Sequence, residues 1–100
     1  MTSTVQRTVT VTNPQGIHIR PAEQLARLAE QFNSEITITH ETYRVDAKSI
    51  MHVMTLAARQ GVELTLEARG KDAQEAIDAI AQLVENDFAD NETMSSENSG

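Results

Sequence analysis

At 100 residues the chain has room for one domain with one core. It has no cysteine, which excludes disulfides, thiolate metal sites and cysteine nucleophiles. Its net charge of -7 and its three aromatic residues argue against nucleic acid, and its short apolar runs exclude direct membrane insertion.

The charge is unevenly placed. Residues 1–61 carry six basic and five acidic side chains, whereas residues 62–100 carry two and ten. The first part therefore keeps Arg20, Arg27, Lys48 and Arg59 for an anionic ligand or an acidic partner. The opening "MTSTVQ" lacks the basic and apolar regions of a signal peptide, and with the missing cysteines it fits a cytoplasmic protein.

In chain order, "RTVTVT" (7–12) alternates and predicts a half-buried strand with Val9 and Val11 inward. "NPQG" (13–16) breaks it. A helix then starts at about Ile19 or Arg20, with Pro21 in its first turn and Leu25, Leu28, Ala29 and Phe32 on one stripe. "EITITH" (35–40) and "TYRV" (42–45) form a hairpin around Glu41 and Thr42. "KSIMHVMTLAA" (48–58) reads as a second helix, N-capped by Ser49.

Val62, Leu64, Leu66 and Ala68 mark the inner face of a fourth strand over 62–68. Asp72 and Glu75 have the spacing of a capping box for a third helix, whose stripe is Ala73, Ala76, Ile77, Ile80 and Val84. Residues 1–88 form the folded domain, and residues 89–100 read as an acidic, disordered tail. The order β-α-β-β-α-β-α, with one apolar face per strand and one stripe per helix, predicts an α+β open-faced β-sandwich. In it, a four-stranded, mostly antiparallel sheet carries three helices on one face.

"GIHIRPA" (16–22) is the stretch with chemistry in it. It puts His18 at or near the N-cap of the first helix, where backbone N–H groups lack internal partners and favour an anion. A neutral imidazole there offers a nucleophilic nitrogen. A phosphoryl group placed on it would meet those N–H groups and the guanidinium fork of Arg20. Spacing alone favours the plainer reading, a solvated loop histidine. Val53 and Leu56 of the second helix face the sheet and leave Ile50, Met51 and Met54 on another side, a patch suited to docking. His40 and His52 have no partners at metal-ligand spacing and read as surface residues; no metal or cofactor is expected.

"GIHIRPA" resembles the active-site signature of the HPr family, the histidine-containing phosphocarriers of the bacterial phosphoenolpyruvate-dependent phosphotransferase system. "KSIMHVMTLA" (48–57) resembles that family's second signature, around its regulatory serine. The resemblance covers about residues 5–88 and implies a monomeric, cytoplasmic carrier. His18 would accept a phosphoryl group at Nδ1 from enzyme I and pass it to a sugar-specific enzyme IIA or a regulatory acceptor.

It further implies that Arg20 and the backbone N–H groups of Ile19 and Arg20 hold the phosphoryl group. Ser49 would be the site of HPr kinase/phosphorylase, and Arg27, Lys48, Ile50, Met51 and Met54 would dock partners. Two positions depart from the pattern: Ile19 stands where the family has a small residue, and Glu23 where it has a small, hydroxylic or methionine residue. Both bear on partner fit. Two other readings remain open: a purely regulatory HPr-like protein acting through Ser49, and a ferredoxin-like ligand-binding regulatory domain.

Overall fold

The computed structural model of the chain describes residues 3–88. Its strands are β1 (Thr4–Thr10), β2 (Glu35–His40), β3 (Tyr43–Asp46) and β4 (Glu63–Arg69). Its helices are α1 (Ile19–Glu30), α2 (Ile50–Met54) and α3 (Ala73–Glu85). The sheet order is β1-β4-β2-β3, and every neighbouring pair is antiparallel. Ile36, Ile38, Val45, Leu64, Leu66 and Ala68 are buried beneath the helices, while Glu35, Arg44, Glu63 and Arg69 alternate with them on the open face. This is the open-faced α+β sandwich expected from the order of elements.

Each apolar stripe finds the core. Leu25 and Ala29 of α1 are fully buried, as are Ala73, Ala76, Ile77, Ile80 and Val84 of α3. Leu28 and Phe32 are half-buried and pack at the edge of the same cluster. The β2–β3 hairpin closes with His40 opposite Tyr43, and Glu41 takes a left-handed φ of 57°.

β3 and β4 are each shifted by one residue from the sequence reading, and the boundaries of β1 and α2 differ by more. β1 begins at Thr4 rather than Arg7, because Thr4, Val5 and Gln6 pair with Arg69, Ala68 and Glu67 through the backbone. It ends at Thr10, although Val11 stays buried and its N–H still donates to the Val62 carbonyl at 2.9 Å. α2 is five residues long and does not reach residue 58. Its last turn tightens as the N–H groups of Thr55, Leu56 and Ala57 donate to His52, Val53 and Met54, three residues back. Ala57 then adopts φ 50°, which a helix cannot continue.

Asp72 does N-cap α3, but its carboxylate makes no bond to that helix. It instead accepts from the backbone N–H groups of Asn33 and Ser34 and from the Ser34 hydroxyl. The expected capping box is thus replaced by a clamp between the start of α3 and the turn after α1.

A histidine at the head of the first helix

The loop before α1 is held from three sides. Asn13 donates from Nδ2 to the Gly16 carbonyl at 2.7 Å, while its own carbonyl accepts from the Gly16 N–H at 3.0 Å. The Ile17 N–H donates to the Ala58 carbonyl at 2.9 Å, and the Ile17 side chain is buried. Gly16 has φ +69°, and a Cβ on it would come within 2.4 Å of the Ala58 oxygen. Only glycine allows this approach. The left-handed Ala57 that stops α2 thereby presents the carbonyl on which the loop hangs.

So anchored, the chain delivers His18 as the N-cap of α1, exposed and with no side-chain capping bond. Pro21 has no N–H, and the Ala22 N–H is taken by the His18 carbonyl at 2.9 Å. Among the described residues the Ile19 and Arg20 N–H groups therefore remain as the helix's unpartnered donors. The Arg20 side chain makes no hydrogen bond or ion pair among the described residues.

His18 and Arg20 line a concavity of about 300 Å³ together with Asn13, Gln24, Asp87 and Phe88. Asp87 and Phe88 were not legible as site residues. They follow α3 with φ of 57° and 60°, which brings Phe88 back into the core and Asp87 to the rim. There the Asp87 carboxylate accepts from the Thr12 hydroxyl. No periodicity announces such a reversal. Asp87 tolerates left-handed backbone without requiring it, and Phe88 gives no sign of it.

The other predicted residues are distributed as follows. Ser49 caps α2 as expected: its Oγ accepts from the His52 N–H at 3.2 Å. Met51 is 75% exposed, but Ile50 and Met54 are half-buried against the core, so the α2 patch is narrower than the sequence suggests. Ile19 adds an exposed apolar group (63%) at the head of α1. Two of the four cations assigned to a partner are already engaged. Arg27 pairs with Glu23 at 2.9 Å, one turn back on α1, and Lys48 Nζ donates to the Phe32 carbonyl at 2.8 Å. Arg20 and Arg59 have no such partner among the described residues.

His52 is exposed, and its Nδ1 accepts from the Asp46 N–H at 3.0 Å. That nitrogen is engaged, whereas the His18 ring makes no hydrogen bond among the described residues. His40 lies half-buried at the end of β2. Among the described residues no group of three or more His, Cys, Asp or Glu could hold a metal ion, and no helix is long and apolar enough to cross a membrane. Residues 89–100 lie outside the described residues.

Comparison with known proteins agrees with this geometry. A family profile described as "PTS HPr component phosphorylation site" matches residues 5–86. The chain is 44% identical over 88 residues to phosphocarrier protein HPr of Cupriavidus necator, covering 88% of this chain and 99% of that one. It is 46% identical over 81 residues to the phosphoryl donor subunit DhaM of the PEP-dependent dihydroxyacetone kinase of Providencia stuartii, covering 81% of this chain and 17% of that protein. Among solved structures, an HPr from Thermoanaerobacter tengcongensis superposes with a TM-score of 0.82 at 38% identity, over 85% of this chain and 96% of that one. Two signatures, the sheet order and whole-length relatives therefore converge: the chain belongs to the HPr family and is a phosphocarrier.

Proposed function

We propose that His18 is the residue that carries the phosphoryl group. The observation behind this reading is its position: a ring at a helix N-cap beside the N–H groups of Ile19 and Arg20 and the guanidinium of Arg20, none of which has a partner among the described residues. The Nδ1 lone pair attacks phosphorus on the phosphohistidine of enzyme I. The P–N bond to the donor breaks, and its electron pair returns to the donor ring. In the second step the acceptor's nucleophile attacks, and the electron pair of the His18–phosphorus bond returns to Nδ1. The N–H groups and the guanidinium hold the oxygens throughout, so the transfer needs no metal or cofactor.

The acceptors in this reading are a sugar-specific enzyme IIA or a regulatory protein of the phosphotransferase system, and the carrier acts as a cytoplasmic monomer. The likeness to part of a phosphoryl donor subunit supports the delivery role. Ser49, the cap of α2, is the regulatory site for HPr kinase/phosphorylase and stands two residues before the exposed Met51.

The test is incubation with phosphoenolpyruvate and enzyme I, followed by mass-spectrometric mapping. The wild type should gain one acid-labile, base-stable phosphate at His18, and His18→Ala should gain none while keeping its circular dichroism. Full labelling of the variant would remove His18 from the reaction.

A further inference from the structure

We propose that Arg59, acting with Arg20, is the electrostatic anchor on which an acidic protein partner docks around His18, in place of Arg27 and Lys48. The proposal rests on the phosphocarrier reading and adds to it the residue that selects the partner.

The first support is which cations are free. Arg7 pairs with Asp78 and Glu85, Arg27 with Glu23, and Arg44 with Glu67, while Lys48 is bound to a backbone carbonyl. Of the eight basic side chains, Arg20, Arg59, Arg69 and Lys71 have no such partner among the described residues.

The second support is position. Arg69 and Lys71 flank Gly70, whose N–H bonds to the Ser3 carbonyl and which packs on Ser34, beyond the C-terminal end of α1. His18 is at the opposite end of that helix, 12 residues or about 18 Å away. Arg59 lies at the His18 end. It follows Ala58, which accepts the Ile17 N–H, and a Cβ on Gly16 would sit 3.0 Å from its Cα. Its side chain is exposed. Arg20 thus lines the concavity beside His18, and Arg59 is exposed where its backbone meets Gly16 of the loop that carries His18, with the Asp87 carboxylate at the rim already accepting from Thr12.

The third support is chemistry. A guanidinium is weakly hydrated and binds carboxylates through two parallel N–H donors, so an unpaired pair of them suits an acidic protein surface. Charges at the rim of an interface act mainly on encounter rate and are screened by salt. Glu23 works in the same direction on α1: by pairing with Arg27 it cancels the charge that side would offer a partner.

The experiment compares enzyme I-dependent phosphorylation of wild type, Arg59→Glu and Arg69→Glu at low and high salt. The two variants change net charge equally at opposite ends of the molecule. Arg59→Glu should raise the donor's KM about tenfold at low salt, leave kcat within about twofold, and approach wild type at high salt. Arg69→Glu should stay within about twofold of wild type throughout. If Arg59→Glu and Arg69→Glu behave alike while wild type is labelled, this proposal is wrong and the phosphocarrier assignment of His18 stands. If wild type takes no phosphoryl group, both fall.

Discussion

At the scale of single residues, the division of labour between His18 and Arg20 is testable. In the proposed reaction His18 would supply the bond-forming atom, and Arg20 a charge-assisted contact that no group among the described residues shares. Such a contact is worth about 1.5–3 kcal/mol, or about ten- to a hundredfold in rate if it is made at the transition state. Arg20→Ala should therefore slow transfer by that factor, and its melting temperature should stay within a degree or two of wild type because the exposed side chain makes no hydrogen bond or ion pair among the described residues. Single-turnover transfer and thermal melting measured on one preparation check both halves. His52 shows why exposure alone does not make a carrier. Its Nδ1 accepts from a backbone N–H, which fixes the ring and occupies the nitrogen a phosphoryl group would take. The place of His18 at the head of α1 was legible from sequence because a helix start can be read there: a glycine, a histidine, an arginine and an N1-region proline precede the first apolar stripe.

Elements carry the next level of behaviour. α3 is joined to the turn after α1 by the Asp72 carboxylate, which the Ser34 hydroxyl and the Asn33 and Ser34 N–H groups hold below its ordinary value of 3.8. A carboxyl lowered in the folded state binds fewer protons folded than unfolded over that interval. Its stabilisation is present above the ordinary carboxylate value and is lost as pH falls through the lowered one. Asp72→Asn should consequently melt lower at neutral pH and show a flatter acid limb than wild type; urea midpoints between pH 2 and pH 7 measure both. The sequence pattern offered Asp72 and Glu75 as a local box. It could not reveal the longer reach, because the Asp72 partners lie 38 and 39 residues away.

α2 gives the opposite lesson. Its apolar sequence reads as a longer helix, but left-handed backbone at Ala57 ends it after five residues. Aspartate caps helices as well as serine does, so Ser49→Asp should leave the fold unchanged and act on docking. We expect it to raise the donor's apparent KM more than it lowers kcat, with the effect shrinking as salt rises. Enzyme I kinetics on Ser49→Asp and Ser49→Ala at two salt concentrations check this. Wild-type behaviour of both the aspartate variant and kinase-phosphorylated protein would reduce Ser49 to a cap.

For the whole molecule, the layer arrangement was legible because each strand and helix has one apolar face and only one stacking buries them all. The strand order was not, since alternation shows which side of a strand is inward and says nothing about its neighbour. That order has a consequence for how the chain acquires its structure. β4 lies between β1 and β2 and is the only described strand that pairs with either on that side. Until residues 63–69 exist, β1 has no ladder at all, and the β2–β3 hairpin is an isolated ribbon of the kind that is marginal in water. Completion of the sheet is thus gated by a late segment, and β1 cannot pair while the remainder is synthesised. A fragment of residues 1–61 should show coil-like circular dichroism and rapid amide exchange, including at Val9 and Ile38, which are buried in the intact protein. Supplying residues 62–100 in trans should restore protection at both positions together, since β4 is their shared neighbour.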